Sequence, residues 1–230
     1  MSFKRLDPED ISISAESVVA PCWSTGQVEL KSASPFGFFT SNGQKASNTG
    51  NFYYEISHKS TDDNSSRVQF AVAYGHKTGA GSVPYNSNVA GKSPSATIYG
   101  QYRNLVFGDE DTDFTFGTGT SDDIYVIAID RARYKEKLFP GTFNITLRSG
   151  SAGIQATTLH LTDNSNDVST VSFVDAGRVF DIISGSNGTG ANVPGGTGLV
   201  DGASYGKFLP DVGVIIFNGA VLNLNKANKG

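Results

Sequence analysis

The residues with the most chemical potential lie in GDEDTDFTFG, 108–117, where Asp109, Glu110, Asp111 and Asp113 crowd between Phe107 and the pair Phe114 and Phe116. Such a group can ligate a hard cation, catalyse as paired carboxylates, or present a charged surface to a partner. Asp109, Asp111 and Asp113 reproduce the first three ligand positions of a helix-loop-helix calcium loop, which also requires glycine at the sixth position and a bidentate Glu at the twelfth. Phe114 and Thr120 stand there instead, and the flanks read as strands. Calcium in another β-loop geometry stays open, but no metal or cofactor is assigned. Glycoside hydrolysis needs two acids facing each other across a cleft, which neighbours in one loop do not establish. The reading left is electrostatic. RARYKEKL, 131–138, presents Arg131, Arg133, Lys135 and Lys137. The acidic and basic segments can pair within the chain, stay solvated, or pair head to tail between copies. These residues are the candidate assembly contacts.

Other motifs lack their context. NSNVAGKS, 86–93, approaches a phosphate-binding loop, but Asn86 replaces the first glycine and Pro94 follows Ser93 directly. A residue before proline is biased away from helix, and that loop needs a helix after it. GASYG, 202–206, matches a nucleophile elbow around Ser204. That motif needs a strand before, a helix after and a later histidine, yet the last histidine is His160. His58, His76 and His160 have no zinc-motif spacing, and the lone Cys22 cannot complete a thiolate site. Asn-x-Ser/Thr sequons at 64, 144 and 187 carry no information, because MSFKRLDPED has no apolar signal core. No catalytic set emerges, and the chain reads as a non-enzyme.

The elements that must hold these residues are strands. NFYYEISH (51–58), RVQFAVAY (67–74), DIYVIAID (123–130), TFNITLR (142–148), ATTLHLT (156–162), RVFDIIS (178–184) and VGVIIFN (212–218) are short, β-branched and aromatic. Turn clusters TDDNSS, GTSDD and TDNSND separate them. The Gly- and Asn-rich stretch 185–198 reads as a flexible loop. With 27 glycines in 230 residues, against a usual ~7%, long amphipathic helices are not expected. RARYKEKL is the one helical candidate. The pattern predicts an all-β chain: an antiparallel sandwich or jelly roll over 27–230, preceded by an extended N-terminal arm over 1–26 that includes the apolar run SVVAPCW. Acidic residues outnumber basic ones 22 to 18, which argues against nucleic acid as a partner. No apolar run approaches the ~20 residues of a membrane span.

Longer phrases carry a resemblance. SFKRLDPEDISISAESVVAPCWS, VQFAVAYGHKTGAGS, SATIYGQYRNLVFGDEDTDFTFG, DIYVIAIDRARYKEKLFPGTFNITL, LTDNSNDV and YGKFLPDVGVII together resemble a virion structural protein family of large contractile-tailed bacteriophages, of the cyanobacterial myovirus type. The resemblance spans most of the chain. It implies a virion protein of the tail or baseplate, assembled in the host cytoplasm with other particle proteins and with copies of itself. It carries over no catalytic or cofactor residue. Relatives often continue past LNKANKG, which implies a shorter form or part of a larger product. The alternative is a carbohydrate- or receptor-binding lectin-like module of the particle, with a glycan as partner.

Overall fold

A computed structural model of the chain describes residues 39–42, 45–46, 50–51, 53–57, 63–81, 93–134, 136–149, 157–191 and 202–224. The 1–26 arm, His58, residues 86–92 of NSNVAGKS and Lys135 lie outside the described residues. The first half of the chain supplies β1 (Phe39–Asn42), β2 (Lys45–Ala46), β3 (Gly50–Asn51), β4 (Tyr53–Ser57), β5 (Val68–His76), helix α1 (Pro94–Phe107), β6 (Thr115–Phe116) and β7 (Gly119–Thr120). Then follow β8 (Asp123–Ile129), β9 (Asn144–Ser149), β10 (Thr157–Asp163), β11 (Ser172–Val174), β12 (Gly177–Ser186), β13 (Thr189–Gly190), β14 (Gly206–Leu209), β15 (Val214–Asn218) and α2 (Gly219–Leu224). Each of the seven expected strands is present, and the chain is all-β and antiparallel.

The main sheet has 11 strands on the path β1-β4-β5-β8-β15-β14-β12-β10-β9, with β11 and β13 both attached to β12. Its centre is buried on both faces. Along β8, Ile124 and Val126 join one core while Tyr125, Ile127 and Ile129 pack against the other. Val214 and Ile216 of β15 alternate with Ile215 and Phe217 in the same way. That explains why VIIFN is apolar at every position but its last, since a strand covered on both sides loses the polar alternation.

The expectation that RARYKEKL is the one helical piece fails. Helix α1 spans 14 residues and covers one face of the sheet, with Tyr99 and Val106 at 1% and 0% exposure. Its start corrects the reading of Ser93. Ser93 is extended (φ -125, ψ 161), as a residue before proline should be, but it serves as N-cap with Pro94 in the first turn. The bias of the pre-proline residue therefore marks the helix boundary and does not exclude the helix. Gly75 of β5 admits the close approach of α1: a Cβ there would lie 2.8 Å from the Tyr99 backbone nitrogen and 3.0 Å from its Cα. The helical expectation for RARYKEKL shrinks to one 3-10 turn, Arg131–Arg133, capped by the Asp130 carboxylate, which accepts from the Ala132 N–H at 2.8 Å. The supposed loop at 185–198 begins as a tight hairpin between β12 and β13, turning through Asn187 (φ 52) and Gly188 (φ 77). Its remainder from 192 lies outside the described residues.

Candidate functional site

The acidic stretch follows a helix, not a strand, so the expectation for its N-terminal flank is corrected. Gly108 ends α1 in the left-handed conformation (φ 69), its N–H donating to the Asn104 carbonyl. Asp109 then accepts from the Thr112 hydroxyl, from the Thr112 N–H at 2.6 Å and from the Asp111 N–H at 2.7 Å. These bonds, the hydroxyl's first, hold its carboxyl below the ordinary aspartate range. Glu110 and Asp111 are exposed. Asp113 meets Lys77 at 2.6 Å, and that hydrogen bond raises the Lys77 pKa. Phe114 and Phe116 are fully buried, with Phe107 packed against them, and Tyr99 meets Phe114 edge-on at 5.3 Å between centroids. The aromatics anchor the turn in the core while its carboxylates serve the turn's own backbone, Lys77 or water. Among the described residues, no group of three or more His, Cys, Asp or Glu is placed to hold a metal ion.

The basic segment has different partners. The Arg131 guanidinium lies over the Tyr134 ring, 4.8 Å from its centroid, and donates to the Tyr134 carbonyl at 2.7 Å. Arg133 is half-buried. Lys137 stands 3.9 Å from Asp211. Asp211 is gripped by Arg178, which donates from Nη2 at 2.8 Å, from Nε at 3.1 Å and from its own backbone N–H at 2.8 Å. Burial pushes the Asp211 carboxyl up, but the Arg178 bonds outweigh it and leave the pKa lowered. Among the described residues, the ion pairs thus tie the acidic turn to Lys77 and the basic segment to Asp211. Among the described residues, which exclude Lys135, no such pair joins the two candidate segments.

The remaining motif residues sit in structural roles. Ser204 is 0% exposed and its hydroxyl donates to the Gly206 carbonyl at 3.1 Å, the opposite of a nucleophile presented at the top of a sheet. GKFL, read as a turn exit, is β14. The Ser93 hydroxyl is buried, accepting from the Ala96 N–H and donating to the Gly79 carbonyl. His76 meets Thr78, and His160 meets Thr146 across β9 and β10.

One surface was missed in the sequence. β10 and β11 lie along the same side of β12, interrupted by a loop. Asn164 still pairs with Asp181, its N–H donating to the Asp181 carbonyl and its Oδ1 accepting the Asp181 N–H, each at 3.0 Å. Ser172 already stands opposite Val179. Residues 165–171 therefore leave the sheet opposite the single residue Phe180, an extreme form of bulge. The loop is braced at its base. The fully buried Asp163 carboxylate accepts from the Gly141 N–H at 3.0 and 2.9 Å and from the Ser165 N–H at 3.0 Å. Asn166 donates its N–H to the Gly188 carbonyl and its amide to the Asn187 carbonyl, and Asp167 accepts from the Gly190 N–H at 2.6 Å. TDNSND is thus a polar knot, not a mere turn.

On this braced scaffold apolar side chains face water. Val168 is 36% exposed, Val171 38% and Phe173 72%, the last being the most exposed large apolar side chain among the described residues. VSTVSF, 168–173, carries these residues at spacings of three and two, which is neither a strand nor a helix period. No protein-family model, curated protein or solved structure matches the chain.

Proposed function

We propose that the chain is a non-enzymatic structural component of a bacteriophage particle, in the tail or baseplate, that assembles with other particle proteins and with copies of itself. The observation that supports this reading best is the exposure of Val168 and Val171 on the braced loop and of Phe173 on the adjoining strand β11. Large apolar side chains exposed close together along the chain support an interaction surface there. A base fixed by hydrogen bonds from three chain segments keeps the entropy cost of ordering that surface on binding low. The resemblance supports it too: LTDNSNDV, one of its phrases, is the segment that builds the knot. The acidic turn, with Glu110 and Asp111 exposed, and the basic segment 131–137 supply charge at separate places, as heterologous contacts between subunits require.

Sedimentation of the purified chain, alone and mixed with the tail and head proteins of its particle, tests the proposal. The reading expects a sedimenting complex that Val171→Ser with Phe173→Ser weakens at least about tenfold while the urea midpoint stays unchanged. An inert monomer that binds none of these proteins would refute it.

A further inference from the structure

Beside the braced loop, on the face carrying Asp181 and Lys207, lies a groove of about 100 Å3. It is lined by Asn164, Val168, Thr170, Val179, Asp181 and Lys207 among others. Asp181 and Lys207 are direct cross-strand partners in the β12–β14 register, so both side chains leave the same face. The Lys207 Nζ stands 3.7 Å from an Asp181 oxygen. That is a Coulombic contact but longer than a hydrogen bond, which closes at ~2.7–3.2 Å. An ammonium with three donors and a carboxylate with free lone pairs therefore stand side by side with hydrogen-bonding capacity left. Thr170 offers a hydroxyl at the rim, and Val168 and Val179 contribute methyl groups. The frame is rigid, because the hydrogen bonds between Asn164 and Asp181 fix the loop to β12.

This combination selects a ligand chemistry. An anion alone is opposed by Asp181, and a cation alone by Lys207. A vicinal diol fits: one hydroxyl accepts from Lys207 and donates to Asp181, its neighbour reaches Thr170, and the adjoining C–H groups lie against valine methyls. The volume is well below the ~300–1,000 Å3 of a site that engulfs a whole small molecule, so the groove takes one edge of a ring. We propose that it is a subsite for the diol edge of a single sugar ring, with a dissociation constant in the millimolar range, about 1 mM or weaker. The proposal does not depend on the particle role and can fail or hold without it.

Saturation-transfer NMR on the full chain with D-glucose, methyl α-D-mannopyranoside, methyl β-D-galactopyranoside and N-acetylglucosamine, each at about 10 mM, provides the test. At least one sugar should receive saturation, and Asp181→Ala and Lys207→Met should each reduce the effect at least about tenfold. Val171→Ser with Phe173→Ser, outside the groove, should leave it unchanged. On the unaltered protein, amide shifts caused by that sugar must centre on Thr170, Asp181 and Lys207, which keeps the test valid even if a variant fails to fold. Silence across the panel, shifts centred elsewhere, or undiminished binding in folded Asp181→Ala would each overturn the proposal.

Discussion

Replacing Asp163 removes the acceptor that holds the loop to the body of the protein. The carboxylate is fully buried and serves two main-chain donors, Gly141 and Ser165. A hydrogen bond to a charged acceptor contributes ~1.5–3 kcal/mol, so losing both sets a range of ~3–6 kcal/mol. Both donors are only half-buried, and water reaching them in the mutant recovers part of the loss. Asp163→Ala is therefore expected to cost ~2–4 kcal/mol, which for a domain of this size lowers the melting temperature by about 5–15 °C. Asp163→Asn keeps one carbonyl acceptor and should cost about half as much. Urea unfolding followed by far-ultraviolet circular dichroism measures both, with the slope expected to stay constant while the midpoint falls. Amide exchange at Gly141 and Ser165 should accelerate together. If Asp163→Ala unfolded within ~0.5 kcal/mol of the unaltered protein, the claim that this carboxylate braces the loop would be wrong.

Two glycines should respond in opposite directions. Gly75→Ala drives a Cβ against the α1 backbone and should cost ~1–3 kcal/mol, whereas Gly100, mid-helix with open space around its missing Cβ, should gain ~0.5–1 kcal/mol as alanine; urea midpoints of both variants check the pair. Ser93→Ala removes the α1 cap and the bond to Gly79 and should cost ~1–2 kcal/mol by the same measurement. Asp211 has a depressed folded-state pKa, so its contribution is present above the unfolded value near ~3.9 and is lost as pH falls through the folded value. The stability gap between the unaltered protein and Asp211→Asn should therefore be fully open at neutral pH and close in acid below about pH 4; a gap independent of pH would contradict the Arg178 pairing.

The strands were readable because period and composition agree along them. VQFAVAYGH and DIYVIAI carry β-branched and aromatic residues in a run bounded by turns, and VIIFN shows the unbroken apolarity of a doubly covered strand. Helix α1 was not readable for a matching reason. PSATIYGQYRNLVF contains proline, glycine, threonine and serine and only a weak apolar face, so its helicity rests on tertiary packing over Gly75 and on its two ends. Ser93-Pro94 and Gly108 are start and stop signals that are legible once taken together. The acidic turn drew the functional reading, yet its geometry explains most of its residues locally: Asp109 closes the turn, Asp113 pairs with Lys77, and the phenylalanines enter the core. The surface loop stayed hidden because its distinguishing property is exposure of valine and phenylalanine, and exposure follows from strands β10 and β11 being interrupted opposite Phe180. No local sequence pattern encodes that interruption, although TDNSND holds the carboxylates and amides that brace the loop's base.

The proposed role is incorporation into a bacteriophage particle through fixed contacts. Electron imaging of purified intact particles with this protein labelled tests it most directly. Label is expected at one height on the tail or baseplate, repeated with the symmetry of that structure. Label absent from purified particles, with the protein found only free in the lysate, would contradict it.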